Sequence, residues 1–415
     1  MLQINSILAA FLVVYIVHEL FVVLLEKINV RHLFNQEGSV PPEVEEFIDS
    51  DKYKEIVSYS AEKSRFGVVE QVASALVLLF LILSGFLPWL DEVLPGKGIF
   101  HGLLFLLAVM FILYLVEIPF DYYHTFGIEE RYGFNKCTLN TWISDQAKGF
   151  VISFILLSLL VGVVLFVIEA SPELWWFWAF LAVSVIQILL TVLYPVLIAP
   201  LFNKFEPLED EILSKKVNAL MGNNGIRVKG IFQMDAGKRS SHTNAYFTGL
   251  GKTKRIVLFD TLIDTHPHEE ILAVLSHEIG HFKKKHILKQ LIFFEITMLA
   301  GSYLIYRIIG WDAIYTTFGF SGVKPYVGLL LIGIFVGKLS YFLKPFYMAL
   351  SRKFEIDADA LAIKLMGTGR FLARALKRMA ADNLANLTPH PLYVWFNYSH
   401  PPIVERIRTL EASNE

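Results

Sequence analysis

The chain has 415 residues, 54% of them hydrophobic and 18% charged, with a mean hydropathy of +0.50. Soluble domains run at about 45–50% apolar and about 25% charged, and the surplus here lies in blocks long enough to cross a bilayer, so a soluble globular protein is excluded. A formal net charge of -2 gives no reason to expect a nucleic-acid partner, and the single cysteine, Cys137, rules out an intramolecular disulfide and any cysteine-based zinc site.

The first apolar block begins at residue 5 with no basic residue before it. It runs through Phe21-Val22-Val23-Leu24-Leu25 without a small-residue cleavage site, which predicts a retained span instead of a signal peptide. Spans of roughly 20 apolar residues are then expected at 5–25, 69–90, 99–119, 149–169, 174–198, 289–309 and 326–349. Between them, 26–68 is polar with Pro41-Pro42 and reads as short helices, whereas 200–288 carries mixed charge and strand-like alternation. The tail 350–415 is polar enough to leave the membrane. The expected organisation is therefore 1–199 for spans one to five, 200–288 for one polar part, 289–349 for spans six and seven, and 350–415 for a second polar part.

Lys and Arg concentrate in 26–68 (Lys27, Arg31, Lys52, Lys54, Lys63, Arg65) and 120–148 (Arg131, Lys136, Lys148). The opposite loops carry Lys97 in 91–98, none in 170–173, and Lys324 in 310–325. Basic residues mark the cytoplasmic side, so the N-terminus is expected outside and the C-terminus, with 200–288, inside. His18, Glu19, Glu117, Glu295 and Lys338 fall within spans. A charge in hydrocarbon costs at least about 2.5–3.5 kcal/mol, so these groups are expected in ion pairs, snorkelling, or facing a wet interior, with Glu295 and Lys338 suited to the last.

The segment Ile271-Leu-Ala-Val-Leu-Ser276-His277-Glu278-Ile279-Gly280-His281 contains H-E-x-x-H on a predicted helix opened by Pro267 and two carboxylates. Four residues separate His277 from His281, so both imidazoles leave one face and can reach one zinc. Glu278, about 100° around the axis, addresses water in place of the metal. The pentapeptide arises by chance in roughly one chain of this length in a hundred, so a third ligand is required. Ser351-Arg-Lys-Phe-Glu355-Ile-Asp357-Ala-Asp359 supplies Glu355 for a His2Glu set around one Zn2+ and Asp359 to accept a proton from a ligand histidine. His286, nine residues from His277, is expected on another face as an exposed juxtamembrane residue, with Lys283, Lys284 and Lys285 capping the helix or meeting lipid phosphates.

Further stretches match a known pattern: Phe126-Gly-Ile-Glu129-Glu130-Arg-Tyr-Gly133-Phe134-Asn135-Lys136, Ala199-Pro200-Leu-Phe202-Asn203-Lys204-Phe205, Asn244-Ala245-Tyr246-Phe247-Thr-Gly249, Val257-Leu-Phe-Asp260-Thr261-Leu262 and Tyr398-Ser399-His400-Pro401. With the zinc motifs they make the chain resemble the integral-membrane CAAX prenyl protease type 1 family, zinc endopeptidases with bacterial relatives. The resemblance implies a mainly α fold: a seven-helix barrel around a water-filled chamber, capped on the cytoplasmic side by a gluzincin-like peptidase. It also implies that Asn244-Ala245 lie on an edge strand receiving substrate, and that Asn244 and His400 stabilise an oxyanion. The expected partners are the bilayer and a peptide or protein substrate, prenylated in a eukaryote. In a bacterial inner membrane the job would be quality control of membrane proteins, and the tail Leu410-Glu-Ala-Ser-Asn-Glu415 lacks a dilysine retrieval signal to the endoplasmic reticulum. A channel or transporter with structural zinc would need a fourth protein ligand, which no cysteine or matching histidine offers. An intramembrane protease would need its His277 helix to span the bilayer, and the apolar run there is too short.

Overall fold

The computed structural model describes residues 2–248 and 255–413. Gly249, at the end of the Asn244 stretch, and Asn414-Glu415 of the tail lie outside them.

All seven expected spans are helical: α1 (Ser6–Gln36), α2 (Ser50–Leu83), α4 (Gly98–Tyr123), α5 (Leu139–Ala170), α6 (Trp175–Leu193), α10 (His286–Ile308), and a seventh made of α12 (Pro325–Ser340) running through one tight turn into α13 (Lys344–Met366). Local chemistry starts several of them. Asn5 Oδ1 accepts Ile7 N and Leu8 N at the head of α1, Asp49 caps α2 through Lys52 N, and Thr138 caps α5 through Thr141 N. At 31, 34 and 32 residues these helices run about 46–51 Å at 1.5 Å per residue, against a hydrocarbon core of about 30 Å. They therefore project from the membrane. This corrects the reading of 26–68: it consists of the ends of two spans, flanking the short link that holds a 3-10 turn at Pro42–Val44. The second span also stops earlier than expected, because Gly85 takes a left-handed φ of 82° and starts α3 (Phe86–Val93).

Neighbouring spans pack as α1–α2–α4–α5–α6–α10, and α12 returns to α1 and α4. The ring is hollow. A packed bundle would bury one face of every helix, yet the apolar stretches of α5, α6 and α10 are only 6%, 6% and 0% buried. Two of the expected intramembrane charges pair: Lys338 Nζ lies 2.5 Å from Glu19 Oε1, and Gln71 Nε2 donates to Glu19 Oε2 at 2.6 Å. Glu295 accepts Ser184 Oγ at 2.6 Å, joining α10 to α6.

The two ends of the ring differ. At one, Gln3 N donates to Thr317 O of α11 (Asp312–Thr317), and the buried Asp91 is held by His101 Nε2 at 2.9 Å, Tyr326 Oη at 2.7 Å and Lys324. At the other, an apolar core joins Leu33, Tyr53 and Ile128 from the span ends and Ile48 from the link to Ala273, Leu372 and Ile407 of the polar parts. The loops thus sort into the two groups that the basic-residue count separates.

The polar part contains a four-stranded sheet in the order β1 (Phe205–Pro207), β2 (Gly230–Met234), β4 (Arg255–Phe259), β3 (Ala245–Thr248). β2 and β4 run parallel; β1 and β3 pair antiparallel at the two edges, with Ala245 opposite Leu258. Ile256 and Leu258 point to a core with Leu213, Val217 and Met221 of α7 (Glu211–Asn223) and Ile271, Leu275 and Ile279, while Val257 points to Met234 on the other face. A short α8 (Asp260–Thr265) leads from β4 into α9 (His268–Lys283). The tail forms α14 (Arg370–Asp382), α15 (Pro391–Asn397) and α16 (Ile403–Ala412).

Candidate metal centre

α9 is the axis of the site. Its i, i+4, i+8 row Ile271, Leu275, Ile279 lies on the sheet core and Ala273 enters the tail core, which leaves the face with His277 and His281 to α13. Pro267 caps the helix, and Glu270 anchors its first turn to α14 through Arg378 Nε at 3.0 Å. The two site helices touch at small residues: a Cβ on Gly280 would fall 2.7 Å from Ala358 Cα. Gly280 precedes His281, and Ala358 precedes Asp359, so this contact sets how the two side-chain rows meet.

They meet closely. His277 Nε2 lies 3.0 Å from His281 Nε2 and 3.3 Å from Glu355 Oε2, and His281 Nε2 lies 3.2 Å from Glu355 Oε1. Zinc bonds of 2.0–2.1 Å in tetrahedral array set donor atoms about 3.3 Å apart, so these three fit one ion. Glu355 Oε2 is buried without a hydrogen-bond donor, as a metal-facing oxygen would be. Among the described residues this is the one group of three or more His, Cys, Asp or Glu that could hold a metal. Glu278 stands half-buried beside it, and burial pushes its carboxyl above the ordinary range.

Asp359 accepts His277 Nδ1 at 2.7 Å, which assigns the remaining lone pair of that ring to Nε2. Arg406 of α16 grips the same carboxylate with Nε at 2.9 Å and Nη2 at 2.7 Å. Sequence reasoning missed Arg406: an arginine on an amphipathic helix has no local mark, and the chain separates it from the zinc motif by over a hundred residues. His400 Nε2 lies 3.3 Å from Glu355 Oε1, with Nδ1 on Ser399 Oγ at 2.8 Å. It lines a cavity of about 430 Å³ with Asn383, Asn386 and Tyr398.

Asn244 does not touch the three donors. It stands exposed at the head of β3, which packs on α9. Its Oδ1 accepts Ala245 N at 2.8 Å. The turn before it is fixed by His242, whose ring stacks on Phe134 (4.2 Å, 20°) and reaches Asn383 Oδ1 at 3.1 Å. β3 pairs only with β4, and its outer edge is open among the described residues.

His286 departs from expectation. The helical count from His277 assumed one continuous helix, but α9 stops at Lys283 and Lys285 adopts a left-handed φ of 55°. The chain turns back, and His286 is 1% exposed with Nδ1 3.1 Å from His281 Nδ1.

Comparison with known proteins agrees with this geometry. Residues 29–204 match the CAAX prenyl protease N-terminal model with its five membrane helices, and residues 207–414 match peptidase family M48. The chain is 37% identical to the CAAX prenyl protease 1 homolog of Arabidopsis thaliana over 89% of each chain. It is 36% identical to CAAX prenyl protease 1 of Saccharomyces cerevisiae over 91% of this chain and 90% of that one. The human CAAX prenyl protease 1 homolog is 31% identical over 93% and 91%. The crystal structure of S. mikatae Ste24p superposes with a TM-score of 0.92 at 32% identity, covering 98% of this chain and 99% of that one. With an H-E-x-x-H helix facing a buried glutamate at one end of a hollow seven-helix ring, this chain is a membrane metallopeptidase and belongs to peptidase family M48.

Proposed function

We propose that the protein is a zinc endopeptidase that hydrolyses peptide bonds near the C-terminus of CAAX-type prenylated polypeptides, with His277, His281 and Glu355 holding one zinc and Glu278 as general base. The observation that carries it is the convergence of those three donors beside the half-buried Glu278 carboxylate. When bound, the ion polarises the scissile carbonyl and acidifies a water. Glu278, its basicity increased by burial, accepts the proton of the attacking water and delivers it to the leaving amine. Asn244, through its side-chain amide, and His400 donate to the developing oxyanion, worth about 2.7–4 kcal/mol for one such donor. An extended substrate adds to the open edge at Ala245 through backbone hydrogen bonds, so the prenyl group and the hollow ring supply discrimination that the strand does not. Asp359 fixes the tautomer of His277, and 200–288 with 350–415 act as two parts of one peptidase.

The plant, yeast and human relatives are eukaryotic, which favours prenylated substrates over the bacterial quality-control role. The basic loops favour a cytoplasmic peptidase end and C-terminus, and a reporter fused after the last residue tests that: a signal from the far side reverses the topology. For the activity, purified enzyme is incubated with farnesylated and unmodified versions of one C-terminal peptide and the products are read by mass spectrometry. Cleavage of the farnesylated peptide that Glu278→Gln abolishes supports the proposal. Equal turnover of both peptides removes the prenyl requirement, and turnover by Glu278→Gln removes the mechanism.

A further inference from the structure

A histidine that ligates a metal through one ring nitrogen carries its proton on the other, and that N–H almost always has an acceptor behind it. For His277 the acceptor is Asp359. For His281, which turns Nε2 to the donor cluster, the group facing Nδ1 is the imidazole of His286 at 3.1 Å. We propose that His286 is a positioning residue of the metal centre: its Nδ1 accepts the His281 Nδ1–H and so holds His281 with Nε2 towards the ion. This inference rests on the ligand set proposed above.

The direction of the hydrogen bond follows from elimination. Two ring nitrogens 3.1 Å apart need one proton between them. His281, as a ligand, has only the Nδ1 proton to give, so His286 offers the Nδ1 lone pair and keeps its own proton on Nε2. That Nε2 is buried without a hydrogen-bond partner, and the closest carboxylate oxygen recorded for it is Asp357 Oδ2 at 3.9 Å.

The surroundings hold this ring still. His286 stacks on Phe354 at 4.2 Å with 9° between the planes, and Phe354 is the residue before Glu355. One side of the imidazole is thus fixed to the helix that carries the third ligand, and its edge meets the second ligand. The backbone is bent to make this possible: Lys285, with a side chain, occupies the left-handed region at φ 55°, a conformation that is strained for a residue other than glycine. A helix continuing past Lys284 would carry residue 286 away from His281.

A residue kept only for packing would show the same burial, so the test separates ring from acceptor. His286→Phe keeps an aromatic face on Phe354 and removes the lone pair. His286→Asn loses the ring but sets Oδ1 near the place of Nδ1. Zinc affinity of the full-length detergent-solubilised protein is measured by competition with a chromophoric chelator, with thermal unfolding of each metal-free variant alongside. The expected result is zinc binding weakened about 10–100-fold in His286→Phe and restored to within a few-fold of wild type in His286→Asn, whatever the order of their unfolding temperatures. Wild-type affinity in His286→Phe overturns the inference, as does a folded His286→Asn that binds no better than His286→Phe. Where the asparagine variant does not fold, the visible spectrum of the Co2+-loaded protein decides: bands unchanged between wild type and His286→Phe overturn the inference, and shifted bands support it. Glu355→Ala keeps the two readings apart. If it holds zinc as tightly as wild type, the ligand set is wrong; if it loses zinc while His286→Phe does not, only the positioning role falls.

Discussion

Gly280→Ala isolates the contact on which the metal centre depends. The added Cβ would lie 2.7 Å from Ala358 Cα and 3.0 Å from both Cβ and O of that residue. Carbon atoms rest about 3.5–4.0 Å apart, and the obstacle is main chain, which cannot rotate aside. α9 and α13 must separate by roughly 0.8 Å to reach that distance. Glu355 lies one turn before Ala358 on the same helix and moves with it, so its oxygens, now 3.2 and 3.3 Å from the imidazole nitrogens, would stand about 4 Å away. Tetrahedral zinc spans about 3.3 Å between donors. Binding then has to draw the helices back against an overpacking cost of about 1–3 kcal/mol, which corresponds to a loss of affinity of about 5- to 150-fold. The metal-free protein should respond less, because alanine favours a helix over glycine by about 1 kcal/mol and offsets part of the clash. The assay is chelator competition for zinc, with urea unfolding of the metal-free variant. Ala358→Gly in the same chain removes only the 3.0 Å Cβ contact and should rescue partially. Wild-type zinc affinity in Gly280→Ala would refute the claim that this contact sets the donor spacing.

The proposed roles separate in two variants: Glu278→Ala should lose cleavage by at least about 10²-fold with zinc content near normal, and Glu355→Ala should lose zinc by elemental analysis. Burial lowers the His266 pKa from the usual 6.5 to about 4, against the attraction of Asp382, and its Nε2 has no hydrogen-bond partner. The unfolded chain therefore binds this proton first as pH falls, so stability drops between about pH 6.5 and pH 4, by ~3 kcal/mol in all. His266→Gln, compared with wild type across that window in metal-free protein, should show a shallower decline; parallel curves would contradict it. Asp91→Ala leaves Lys324 without the buried carboxylate it pairs with, and should cost about 3 kcal/mol while zinc affinity stays the same, since Asp91 belongs to the opposite end of the ring. A fall in zinc affinity would mean that the two ends are coupled.

How much of this could be read from the chain depended on how local each signal was. The seven spans come from apolar runs, and a run long enough to cross the bilayer needs no partner to declare itself. His277 and His281 are one helical turn apart, so a single amphipathic helix brings them together, and Glu355 with Asp359 repeats that spacing on a second helix. Lys and Arg counts give an expected sidedness because each loop carries its own charge. The hollow of the ring left a weaker trace: Glu19, Lys338 and Glu295 sit in apolar runs, but their partners are on other spans.

What the linear order could not supply were relations between distant segments. Arg406 reaches Asp359 because α16 docks on a core assembled from both ends of the chain, and nothing near Arg406 marks it. The ends of the first two spans read as a polar loop because composition changes where a helix leaves the bilayer, although its hydrogen bonding does not. His286 was misplaced for the reverse reason, since a helical count carries on through a break that depends on one left-handed lysine. Periodicity is a property of a segment, so the sequence by itself determined which side chains share a helix face; the approach of Gly280 to Ala358, and with it the distance across which the ligands meet, was decided by tertiary packing alone.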